Sequence, residues 1–148
     1  APENAIEFFH GYTYSAHPVC AAVALRTQQL MQERDIIGHV RGLAPVFAAH
    51  ASAMDRYDFI GNVRSIGLIG AMEFAADKQT HRKFDASHKI AAEAVAIVQK
   101  HGVILRALPG DVIGFCPPLI ISCAELDDMF SRVHAAMQDV TELAKTLR

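Results

Sequence analysis

Apolar residues recur every three to four positions over four stretches of the chain and cluster into short runs between them, which predicts helices separated by strands. The first helical stretch opens at Pro18, a residue whose missing N–H costs nothing at a first helical position, and continues through the Ala-, Leu- and Gln-rich residues from Val19 to about Glu33. A second runs from about Asp35 to Met54, with Ile36, Val40, Leu43, Phe47 and Ala51 on one face. Gly42 and Pro45 lie inside it and leave room for a kink or a break.

The pattern then changes. Residues 62–74 are β-like and punctuated by glycines, which suggests one bent strand or two short ones. Residues 77–85 are polar and read as a loop. Asp85 or Ser87 is placed to cap a helix carrying Ile90, Ala94, Ile97 and Val98, with Gly102 as its stop. Val103–Ala107 reads as a strand, Leu108–Asp111 as a turn and Val112–Cys116 as the hairpin partner, ended by Pro117-Pro118. Ser122-Cys123-Ala124-Glu125 is a capping box. Behind it, Leu126, Met129, Phe130, Val133, Met137, Val140 and Leu147 form one apolar stripe. From residue 57 the order is β–β–α–β–β–α, an α+β fold with helices packed on one face of a small, mostly antiparallel sheet.

Composition narrows the function classes. A length of 148 residues suits one domain with a genuine core, and 51% hydrophobic with 20% charged residues is a globular balance rather than a disordered one. A formal charge of −2 gives no basic excess for nucleic acid or an anionic membrane. No apolar run reaches the roughly 20 residues of a membrane span, and no signal peptide is recognisable. The three cysteines, Cys20, Cys116 and Cys123, read as reduced thiols of a cytoplasmic protein rather than a disulfide framework. The chain opens on Ala1-Pro2 without a methionine, so a processed product or a piece of something longer is expected.

Candidate chemistry is sparse. The eight histidines are scattered, with no ligand spacing, and no metal site is expected. Neither Cys116 nor Cys123 has a partner for nucleophilic catalysis, and Cys116, between Phe115 and Pro117, is expected to be a buried small hydrophobe. Arg106 follows the apolar run Val103-Ile104-Leu105, and alternation puts it on the face opposite Leu105. It is either a solvated strand-end charge, the favoured reading from pattern alone, or a planar fork for a carboxylate. Glu73 is most simply solvent-facing, with a catalytic acid role as the alternative, and Arg64 is equally an interface or a solvent charge. The loop His10-Gly11-Tyr12-Thr13-Tyr14-Ser15-Ala16-His17-Pro18 offers a hydroxyl, backbone N–H groups and an adjoining helix start, the parts of an anion site. The plainer alternative is a Thr13 hydroxyl bonded to its own turn.

These segments together resemble the class III (omega) aminotransferases. Residues 10–18 are similar to that family's HG-[YF]-T-Y-S-[GA]-HP segment, and Val63–Glu73 to its VRG-x-GL-[IM]-GA-x-E strand pair. Gly102–Ala107 and Phe115–Ile121 resemble its G-[LV]-x-x-R and CPPL-[IV]-I elements. The likeness spans essentially the whole chain in the right order, and Ser65 departs from the usual glycine. It implies a fold-type I enzyme that uses pyridoxal 5′-phosphate to move an amino group between an amine or amino acid and a keto acid. It also implies a homodimer with active sites at the subunit interface. Thr13, with nearby N–H groups including that of Tyr12, would bind the phosphate of a cofactor held by the partner subunit. Arg106 would bind the substrate carboxylate, which reverses the preference for a solvated charge.

The resemblance also points to what lies elsewhere. The family's Schiff-base lysine precedes the Thr13 motif, and Lys78, Lys83, Lys89, Lys100 and Lys145 all follow it. No catalytic residue of that kind is therefore expected in this chain, which reads as the C-terminal portion of a subunit. Residues 1–34 would end the large domain, 35–56 form a connecting helix and 57–148 the small domain. Such a portion would bind little cofactor alone and catalyse nothing. The competing reading is a non-catalytic α+β binding or oligomerisation module that lost its cofactor domain.

Overall fold

The computed structural model describes residues 11–148. Its chain divides into two compact units, one ending at Asp35 and the other running Ile36–Arg148. The first contributes helix α1 (Pro18–Glu33). Pro18 opens it, Arg26 donates to Glu33 at 2.8 Å, and the Arg34 N–H closes it on the Leu30 carbonyl at 3.1 Å. None of its residues is buried, and Val19, Val23 and Leu25 lie exposed.

The second unit begins with α2 (Ile36–Ala53) and a 3₁₀ turn at Met54–Arg56. Strands β1 (Ile60–Ile66) and β2 (Ile69–Phe74) follow. A second 3₁₀ turn at Ala86–His88 leads into α3 (Ile90–Lys100). The chain continues through β3 (Arg106–Leu108) and β4 (Val112–Phe115) to α4 (Cys123–Thr146). The four strands form one antiparallel sheet in the order β1-β2-β4-β3. Gly67 and Leu68 turn β1 into β2 between the paired Ile66 and Ile69. Gly67 adopts φ +56°, which glycine reaches without a Cβ penalty.

Gly70, Met72 and Phe74 of β2 are buried, and Ile69, Ala71 and Glu73 are not, so one sheet face is covered and the other open. The core lies between the covered face and the helices. Phe130 of α4 is its centre: it meets Phe47 of α2 edge-on at 5.5 Å and stacks on Phe115 of β4 at 5.5 Å. Gly70 is small because a Cβ there would lie 2.9 Å from the Phe47 ring. The Ser122 capping box starts α4, with the Glu125 N–H donating to Oγ at 3.2 Å and the Ser122 N–H donating to the Glu125 carboxylate at 2.8 Å.

Several expectations need adjusting. Residues 62–74 belong to two strands, as one of the alternatives had it. Helix α2 runs without interruption past Gly42 and Pro45. Pro45 is exposed, while Phe47 and Ala51 anchor the helix in the core. Asp85 caps the 3₁₀ turn through Ser87, and α3 starts at Ile90 instead. The third strand is Arg106–Leu108, not 103–107, because only these residues find partners on β4. Cys116 is exposed rather than buried. Phe115 takes the inward position beside Phe130, so alternation turns the next residue out.

Candidate functional site

The loop before α1 is built from two overlapping turns. The Ser15 N–H donates to the Tyr12 carbonyl at 3.1 Å and the His17 N–H to the Tyr14 carbonyl at 3.2 Å. Ala16 between them holds φ +61°, and His17 starts α1 with no side-chain cap. Among the described residues, no hydrogen bond engages the Thr13 hydroxyl or the N–H groups of Thr13, Tyr14 and Ala16. The plainer expectation, a Thr13 hydroxyl spent on its own turn, is therefore not what the loop does. Tyr12 and Tyr14 project beside it with 74% and 81% of their surface exposed. These open donors, with the uncapped start of a 16-residue helix, suit a multiply charged anion. His10, the first residue of the motif, lies outside the described residues.

Arg106 stands on the other unit, on edge strand β3. Register places Arg64, Ala71, Gly114 and Arg106 in one row across the four strands, on the open face of the sheet. Adjacent strands lie about 4.8 Å apart, so roughly 14 Å of small-residue floor separates the two arginines. Gly114 belongs in that floor because a Cβ there would come 3.2 Å from Leu108 Cδ1. The arginines differ in their surroundings. Arg64 donates to the Glu73 carboxylate at 3.3 Å, and Lys83 binds the other oxygen of the same carboxylate. The Lys83 hydrogen bond is the main reason the Glu73 carboxyl titrates below its ordinary range, with Arg64 adding to it. The Arg106 side chain has no hydrogen bond or ion pair among the described residues, and its guanidinium fork is open.

The Arg64–Glu73–Lys83 cluster is not visible in the sequence, where Glu73 and Arg64 are weighed separately. The available signal was the hairpin register: Glu73 is the diagonal neighbour of Arg64 across β1 and β2. Several histidines turn out to be structural. His50 stacks on Phe130 at 4.9 Å and pairs with Asp127 at 2.7 Å, tying α2 to α4. His39 donates to the Ile121 carbonyl at 2.8 Å. His134 meets the Tyr57 hydroxyl at 3.1 Å, and burial, with Arg56 and His50 nearby, pushes its pKa down. Thr13 and Arg106 fall in different units.

An open arginine on the edge of an α+β sheet, and a loop with unspent donors before a helix, are groups whose chemistry suits carboxylates and phosphates. The particular family follows from comparison. Residues 1–137 match the class-III aminotransferase family, and the chain belongs to it. It is 34% identical to an aminotransferase of Sinorhizobium fredii over 91% of its own length and 29% of the relative's. To gamma aminobutyrate transaminase 3, chloroplastic, of Solanum lycopersicum it is 36% identical over 95% of its length and 27% of the relative's. Among solved structures, a PMP-bound aminotransferase from Vibrio fluvialis superposes with a TM-score of 0.82 at 33% identity, over 90% of this chain and 29% of that one. A transaminase from an ancestral-reconstruction study gives 0.84 at 35% identity, over 92% and 30%. The chain thus spans under a third of the length of these relatives. The fold is that of the corresponding part of fold-type I transaminases.

Proposed function

We propose that this chain is the C-terminal part of a pyridoxal-phosphate-dependent aminotransferase that moves an amino group between an amine or omega-amino acid and a keto acid. The observation that carries the reading is the loop at Tyr12–Pro18: an exposed threonine with unspent donors, at a helix start, in a chain of the class-III family. Thr13, with N–H groups of the loop including Tyr12's, would hold the cofactor phosphate, and the open donors of Thr13, Tyr14 and Ala16 suit a dianion. The cofactor, when bound, supplies the electron sink for amino transfer. Arg106 would bind the carboxylate of the amino acid or keto acid, its open fork matching the two oxygens. In this reading residues 1–34 end the large domain, 35–56 connect and 57–148 form the small domain.

The active enzyme would be a homodimer, with Thr13 serving a cofactor held by the partner subunit. The lysine that carries the cofactor belongs to the remainder of such a subunit, so the chain alone would bind little cofactor and turn nothing over. Three exposed thiols fit a reducing compartment such as the cytoplasm, although relatives are named as chloroplastic and mitochondrial. No helix among the described residues is long and apolar enough to cross a membrane.

The test is one substitution in the full-length enzyme, assayed with two classes of substrate. Arg106→Ala is expected to raise KM for keto acids at least about tenfold while simple amines are affected far less. Equal effects on both would remove the carboxylate role.

A further inference from the structure

The strained residue of the cofactor loop has no assigned part. Ala16 holds φ +61°, a left-handed conformation that an L side chain adopts rarely and that glycine adopts freely. It stands between the turn that displays Thr13 and the N-cap of α1, and the second hydrogen bond of the loop, His17 to Tyr14, spans it and depends on the backbone reversing there. Those two bonds consume the N–H groups of residues 15 and 17. The N–H groups of Thr13, Tyr14 and Ala16 itself stay open on either side of the reversal. Thr13, Tyr14, Ser15, Ala16 and His17 are all exposed, so burial does not impose this conformation. Strain that the surrounding core does not require is the kind that serves a site.

We propose that Ala16 is a positioning residue: its left-handed backbone fixes the Thr13 turn against the start of α1 so that the threonine hydroxyl and the open N–H groups address one phosphate together. This rests on the reading of Thr13 as the phosphate residue, and the test separates the two. In the full-length enzyme, the dissociation constants of pyridoxal 5′-phosphate and of pyridoxal, which lacks the phosphate, are measured by absorbance titration for the wild type, Thr13→Ala, Ala16→Gly and Ala16→Val. A β-branched side chain resists the left-handed region, so Ala16→Val should weaken pyridoxal 5′-phosphate binding about tenfold and leave pyridoxal unchanged. Ala16→Gly, which accepts the conformation, should bind pyridoxal 5′-phosphate within about twofold of the wild type. An Ala16→Val enzyme that binds pyridoxal 5′-phosphate normally, beside a weakened Thr13→Ala, overturns the role of Ala16 alone. Equal weakening of both ligands by Ala16→Val reports a damaged fold and overturns it as well. A Thr13→Ala enzyme with unchanged affinity for pyridoxal 5′-phosphate removes the phosphate reading and this inference with it.

Discussion

Residues 11–35 and residues 36–148 are built on opposite principles. The second unit has a full core, with Phe47, Phe74, Phe115 and Phe130 each at most 2% exposed and every helix anchored to the sheet or to another helix. The first has a 16-residue helix with no buried residue at all. An isolated helix of that length is marginal in water, so α1 owes little of its stability to itself. The difference teaches where the chain carries its stability and where it carries its chemistry. Thr13 and its open donors belong to the part with no buried residue among those described. Arg106 belongs to the part with one, but on the open face and the edge strand, where packing asks least of it.

Substitution can break this contrast, and the largest effect should come from its centre. Phe130→Ala removes the ring that joins α2, β4 and α4, and is expected to cost about 3–5 kcal/mol in denaturant unfolding. Val23→Ala in α1, measured the same way, should stay within about 0.5 kcal/mol. Comparable losses from the two would erase the distinction between the units. Gly70→Ala drives a methyl toward the Phe47 ring and should cost about 1–3 kcal/mol, read as a lower melting temperature. An unchanged melting temperature would show that the ring yields freely there. Ser122→Ala removes the N-cap of α4 and should cost about 1 kcal/mol.

The smallest effect sharpens the contrast between the covered and the open sheet faces. Glu73 is held ionised by Lys83 and Arg64, so its folded pKa lies below the ordinary 4.5. A depressed carboxyl contributes stability that is fully present above the unfolded value and is lost as pH falls below 4.5 through the folded one. Glu73→Gln should therefore be less stable than the wild type by about 0.5 kcal/mol at pH 7, the scale of a solvent-screened pair. The two curves should converge in acid. A gap that persists at pH 2.5 would assign the loss to packing instead of charge.

Legibility in the sequence followed the range of the forces involved. Pro18, Gly67, Gly102 and the Ser122–Glu125 box act within a few residues of themselves, and each is where its local chemistry predicts it. The stripe on α4 was equally readable, because a 3.6-residue period over six turns leaves one solution for which face is buried. What was not readable depended on a distant partner. The start of β3 is set by which residues find β4, and the exposure of Cys116 by Phe115 claiming the inward position against a helix some fifteen residues on. Of the candidate site, the presence of Thr13 and Arg106 was visible in the motifs. That the hydroxyl of one and the fork of the other are both unspent is a fact of the folded chain.

The brevity of β3 has a consequence for how such an arginine can be displayed. An edge strand offers a row of unpaired N–H and C=O groups to any passing chain, and a long one is an invitation to fibre growth. A strand of three residues, Arg106–Leu108, followed by a turn with Gly110 and Asp111 both at positive φ, is too short and too sharply ended to template another. The molecule can hold a cation out at its margin without making that margin adhesive.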